Sequence, residues 1–218
     1  MASAVDAKQG LDITLGATKA GTKEKPRSAG SITVLTTTEP GPNSPSGSFA
    51  TSQATIFFDK NVVFGGSKFK SCAVSSGKTI DSKCLSSKIG SGKALGEALE
   101  QKEPLTITAY NAAKGQKLFL HVIGNEPLKI DEVIQASLKP ATGAYGRKLV
   151  VPIPAGLQKP SGITATLLNF STKVSGRSKG TPYVGLKGCT DAKLKFKGTF
   201  QFTDGTTQTA TDSAKCSA

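Results

Sequence analysis

The sequence predicts an all-β fold, an antiparallel β-sandwich of jelly-roll or Greek-key type tied by two local disulfides. Three observations carry that expectation. Strand-like runs recur every roughly 8 to 15 residues with turn chemistry between them. Gly, Ser and Thr are abundant and hydrophobic residues make up 37% of the chain, a composition that suits short strands and turns better than long helices. Four cysteines fall into two sets, each bracketing one excursion of the chain. A length of 218 residues fits one large β domain. Residues 1–28 read as a flexible N-terminal segment with an edge strand at Leu11, Ile13 and Leu15, and residues 29–218 as a single sandwich domain.

Taken in order, the first domain strand spans Ile32 to Thr38, and the punctuation from Glu39 to Gly47, rich in Pro, Gly, Asn and Ser, marks an exposed loop. Ala54, Ile56 and Phe58 alternate on the next strand. Ala94 to Glu103 is the one stretch that reads as a short helix, although Gly96 weakens it. Alternation resumes at Leu105 to Ala109. The run from Leu118 to Ile123 is apolar on both faces, which places it centrally or beneath a covering loop. Strands follow at Leu128 to Leu138, Arg147 to Ile153 and Ile163 to Val174. In the last of these the apolar phase slips between Leu167 and Leu168, as a β-bulge would make it. The C-terminal hairpin is the clearest unit. Leu194, Phe196, Phe200 and Phe202 share one parity, Lys193, Lys195 and Lys197 the other, and Asp204-Gly205 supplies the turn.

Cys72 pairs with Cys84 across a Gly/Ser/Lys loop, and Cys189 pairs with Cys216 around the last hairpin. No C-x2-C spacing favours zinc, and the sole histidine, His121, lies in another segment. Disulfides imply an oxidising compartment. The Ala2-Ser3-Ala4 start matches the small-x-small pattern left by a trimmed export signal. The expected location is therefore secreted or cell-surface. No apolar run approaches the roughly 20 residues of a membrane-spanning helix.

The formal charge is +13, and of 28 basic residues only Arg27, Arg147 and Arg177 are arginines. Lysine is a hydrated point charge without the arginine fork, so the excess argues for diffuse attraction to polyanions and against sequence-specific nucleic-acid recognition. The chain lacks tryptophan, and its single histidine sits in an apolar strand, where packing is its expected role. No G-x-S-x-G elbow is present. The carboxylate pairs Asp131/Glu132 and Glu97/Glu100 point to opposite faces or to solvent. Gly90-Ser91-Gly92-Lys93 lacks phosphate-loop spacing and reads as a turn. Asn169-Phe170-Ser171 matches a glycosylation sequon to which no role is assigned. These features lean against an enzyme, and none implies a cofactor or metal.

Several short motifs recur together: Phe69-Lys70-Ser71-Cys72, Lys88 to Ala94 after Cys84, Ala109-Tyr110-Asn111, Tyr145 to Pro154, and Asp204 to Thr211. In them the chain resembles a group of exported β-rich proteins of actinobacteria over roughly residues 10 to 216. The resemblance implies secretion and a sandwich-like fold and transfers no catalytic residue.

Three functions follow as expectations. The first is a non-enzymatic exported protein that binds or structures the cell envelope or extracellular matrix, with Lys193, Lys195 and Lys197 facing an anionic polysaccharide or cell-wall polymer. The same lysines would also serve to keep an edge strand soluble and unpaired. The second is a carbohydrate-binding or carbohydrate-active module using Tyr110, Asn111, Tyr145, Arg147 and Tyr183, since sugar faces stack on aromatic rings while amides and guanidinium satisfy hydroxyls. The third is a subunit that self-associates by strand exchange through Leu11 to Leu15.

Overall fold

Along nearly every strand the side chains of one parity are apolar, and the chain buries them by wrapping one large sheet around them. The computed structural model describes residues 5–73 and 80–218. The Ala2-Ser3-Ala4 start and most of the Gly/Ser/Lys loop between Cys72 and Cys84 lie outside the described residues. In chain order the elements are β1 (Ala7–Leu15), β2 (Arg27–Ser28), β3 (Ser31–Pro40), β4 (Thr51–Asp59), β5 (Val62–Phe64), β6 (Lys88–Ala98), β7 (Gln101–Ala112), β8 (Lys117–Gly124) and β9 (Ile130–Pro140). They continue with β10 (Tyr145–Pro152), the one-turn helix α1 (Ala155–Gln158), β11 (Thr166–Ser175), β12 (Arg177–Ser178), β13 (Thr181–Pro182), β14 (Val184–Leu186), β15 (Lys193–Phe202) and β16 (Thr207–Lys215).

Eleven strands form the main sheet in the order β1-β3-β11-β6-β7-β8-β9-β10-β4-β15-β16. Every neighbouring pair is antiparallel. The fold is thus all-β and antiparallel, with both disulfides in place. The sheet curls until its halves face each other across the core, and the inner residues of β3, β4, β8, β10 and β11 line one shared interior.

Eleven is odd, so the two outermost strands run in the same direction where the sheet comes round. Side chains join them. The Ile13 amide donates to Asp212 Oδ2 at 2.7 Å, the Val5 amide to Asp204 Oδ2 at 3.1 Å, and Gln208 Nε2 to the Val5 carbonyl at 3.0 Å. Just beyond the strands, Lys19 and Ser217 form a parallel bridge. Partial burial raises the Asp204 pKa, but bonds from the Thr206 hydroxyl and from the Thr206 and Val5 amides outweigh it and hold the carboxyl below its ordinary value.

Four connections cross between the halves. Strand directions put residues 41–50 and 153–165 over one end of the barrel, and residues 60–87 and 176–192 over the other. At that second end β2, β14 and β5 form a small sheet, with Val62, Val184 and Leu186 buried beneath it.

The C-terminal hairpin meets its expectation. Leu194, Phe196, Phe200 and Phe202 are all buried, each contributing about 1.5–3 kcal/mol by leaving water. In the turn only Gly205 has positive φ, at 86°. Asp204 instead accepts from the Thr206 amide and hydroxyl. The phase slip in β11 is a bulge between Leu167 and Asn169 where that strand meets β6. Leu118 to Ile123 is β8, and both of its faces are covered. Leu118, Leu120 and Val122 enter the main core, while Phe119 packs outside with Cys72, Cys84 and Tyr110.

Two local expectations fail. Ala94 to Glu103 is a hairpin between β6 and β7, not a helix, because Leu99 and Glu100 both take positive φ, 49° and 61°, and reverse the chain. Gly90-Ser91-Gly92-Lys93 is not a turn but part of β6. Its glycines let β11 press close: a Cβ on Gly92 would lie 2.0 Å from the Ser171 carbonyl oxygen, and one on Gly90 2.2 Å from that of Lys173.

Candidate functional site

The outer face of β10, β4 and β15 carries a row built by register. Lys139 on β9 lies opposite Lys148 on β10, Lys148 opposite Phe57 on β4, and Phe57 opposite Lys197 on β15. Neighbouring strands are about 4.8 Å apart, so cations flank an aromatic ring at one strand spacing. Lys197 Nζ sits 4.3 Å from the Phe57 ring centroid and 5.5 Å from that of Tyr145, with Lys148 Nζ 5.8 Å from Phe57. The two rings are 5.5 Å apart and inclined at 53°. Cation–π contacts of this kind contribute about 0.5–1 kcal/mol at exposed sites and hold the ammonium groups in place.

Lys193 and Lys195 are exposed on the same strand as Lys197. Lys193 lies opposite Lys215. Like charges directly opposed across a strand pair destabilise a sheet, and this face has two such pairs, Lys139/Lys148 and Lys193/Lys215. The ion pairs Lys8–Glu39 and His121–Asp131 do not draw on them. Edge protection does not account for the lysines of β15, because that strand lies between β4 and β16.

Arg147, next to Lys148, turns toward the end of the barrel. There it lines a concave site of about 490 Å³ with Lys60, Lys114 and Lys187. These side chains come from the bend after β4, the turn after β7 and the segment after β14, and no carboxylate lines the cleft. The cleft can hold anionic groups by charge, while on the outer face of the sheet Phe57 and Tyr145 set apolar rings beside Lys148 and Lys197.

Of the residues expected to take part, the structure brings Tyr145 beside Lys197 of the β15 lysine row, and sets Arg147 apart in the cleft at the end of the barrel. It takes Tyr110, Asn111 and Tyr183 away from any surface. Tyr110 is buried beneath the Cys72–Cys84 bridge. Asn111 is wholly buried, donating to the carbonyls of Gly66 and Lys70 and accepting from the Tyr183 hydroxyl at 3.2 Å. Burial pushes the Tyr183 phenol well above its ordinary pKa. These three fasten a crossing segment to the barrel.

His121 lies on the outer face with Nε2 2.7 Å from Asp131 Oδ1. Among the described residues no group of three or more His, Cys, Asp or Glu side chains gathers to hold a metal, and no helix is long and apolar enough to cross a membrane. Phe57, Lys139 and Lys148 were not singled out from the sequence, although Ile56-Phe57-Phe58 breaks strict alternation and so flags an outward aromatic. Nothing in the sequence signals that Lys60, Lys114 and Lys187 converge. No family model, no curated protein and no solved structure matches the chain.

Proposed function

We propose that this is an exported, non-enzymatic binding protein that attaches to an acidic polysaccharide or cell-wall polymer of the envelope or extracellular matrix through its lysine face. The observation that carries the reading is the row Lys139, Lys148, Phe57, Lys197, in which self-repelling cations are held in place around outward aromatic rings. A polyanion relieves that repulsion, and a sugar face finds Phe57 and Tyr145. The two disulfides suit an oxidising, extracellular setting.

The test is retention on polygalacturonate and on neutral dextran at rising salt, comparing wild type with a Lys193→Gln, Lys195→Gln, Lys197→Gln triple variant. A second triple variant, Lys93→Gln, Lys102→Gln, Lys173→Gln, removes the same charge from β6, β7 and β11. The expected result is early elution of the β15 variant alone, with no retention on dextran, because attraction at this face is screened within about 10 Å at 0.1 M salt. Equal elution of the two variants would reduce the effect to net charge and remove this face from the reading. The aromatic component favours a carbohydrate polymer over a simple polyanion. On a glycan array, Tyr145→Ala should lower binding to acidic glycans, and unchanged binding would leave charge alone.

A further inference from the structure

Beneath the crossing segment 153–165 the barrel interior is not filled. One cavity of about 60 Å³ lies at that end, and a second of about 90 Å³ lies deeper. Thr51, Ile153, Leu167 and Phe170 line both, so the two adjoin at those side chains and together outline a channel. Each is smaller than an engineered dry cavity of about 150 Å³ that admits benzene, so a ligand of that size would occupy both and part the side chains between them.

The channel wall holds a carboxylate that packing alone does not explain. Glu103, on β7, is 6% exposed. Its Oε2 accepts the Leu128 amide at 2.9 Å, while Oε1 is buried with no hydrogen-bond partner. A Cβ on Gly124 would lie 2.5 Å from Oε1 and 2.7 Å from Leu105 Cδ2, so glycine leaves that oxygen its room beside the Leu105 side chain. Deeper in the channel, Thr172 Oγ1 is a second buried oxygen without a partner.

We propose that the barrel interior is a binding site for a small apolar molecule with one terminal hydrogen-bond donor, an alcohol or a primary amine, seated on Glu103 Oε1. Oε1 has no partner within the protein, and a donating head group supplies one. The apolar body extends past Leu105 and Val122 toward Phe170. Ligand sites in small barrels have this form, an apolar enclosure with one or two placed polar groups.

The experiment is a titration of the full chain, followed by amide NMR, with four molecules of similar size: benzyl alcohol, benzylamine, toluene and benzonitrile. The two donors should bind about tenfold more tightly than toluene or benzonitrile, with shifts concentrated at Leu128, Val122 and Phe170. Glu103→Gln preserves shape, and keeping the Leu128 bond turns the amide NH2 toward the ligand. Benzylamine should then lose its advantage and benzonitrile gain one. Ala165→Phe, at the mouth of the channel, should weaken all four while leaving the lysine face unaffected. Equal binding of donors and toluene, an unchanged rank order in Glu103→Gln, or shifts confined to the exterior would each overturn the proposal.

Discussion

Asn111 shows how much one buried amide can do when each of its polar atoms has a partner. Its two donated bonds hold the chain at Gly66 and Lys70, and its oxygen accepts from Tyr183. Replacing it with Leu strands the Lys70 carbonyl and the Tyr183 phenol in the interior and leaves Gly66 only the bond from the Phe69 amide, each unsatisfied group costing about 1–3 kcal/mol. Asn111→Leu should therefore lower stability by about 3 kcal/mol or more, and Tyr183→Phe, which leaves only the Asn111 oxygen short of a bond, by about 1 kcal/mol. Urea denaturation of both variants measures this, and equal effects would contradict the unequal roles assigned here. Polar residues that look suited to a ligand can thus belong to the frame. Tyr110, Asn111 and Tyr183 have the chemistry of a sugar site, and only their burial removes them from one.

At the scale of elements, the disulfides act where hydrophobic packing is thin. Cys189 and Cys216 are joined with Cα atoms 5.7 Å apart, closing the base of a hairpin whose return strand β16 carries mainly Thr, Ala and Ser. In the chain-entropy picture a bridge over a loop of this length contributes about 3 kcal/mol or slightly more. Cys216→Ser should cost about 2–5 kcal/mol, read as a fall in the thermal midpoint. A loss within about 0.5 kcal/mol, as for an ordinary surface change, would show that the hairpin is held by its phenylalanines alone. Cys72 and Cys84 instead pin a cover over Phe119 on the outer face of β8. That cover explains why the strand's sequence is apolar in both phases.

For the whole molecule the weakest line is the seam between β1 and β16, where parity rules out another antiparallel pair. The carboxylate of Asp212 on the Ile13 amide stands in for a ladder bond. Asp212→Ala should cost about 1–3 kcal/mol and speed hydrogen exchange at Ile13 well beyond that at Val34, its partner on β3. Unchanged exchange at Ile13 would mean that packing alone closes the barrel. Strand exchange through Leu11 to Leu15 would have to displace β1 from its nine-residue register with β3, so sizing of the same variant also tests self-association: a monomer counts against it.

The sequence by itself determined the strands, the bulge at Leu167, the hairpin of phenylalanines and both cysteine pairings, because these rest on alternation, turn chemistry and spacing along the chain. It misread Ala94 to Glu103, where positive φ at Leu99 and Glu100 overrode helix propensity, and Gly90 to Lys93, where glycine serves the close approach of β11 rather than a turn. It also showed that Lys193, Lys195 and Lys197 share a face, since parity within one strand decides that. Tertiary structure alone decided what stands beside them. Phe57 reaches Lys197 through the register of strands about 140 residues apart in sequence, and Lys148 reaches Phe57 through strands about 90 residues apart, at the usual spacing of neighbouring strands. Arg147 meets Lys60, Lys114 and Lys187 because three separate segments turn at the same end of the barrel. In sequence Glu103 stands only at the end of the stretch that reads as a helix, although it shares the parity of Leu105 and Ile107. Only closure of the sheet, which faces β7 toward the core and places Leu128 and Gly124 against its two oxygens, makes it a buried acceptor.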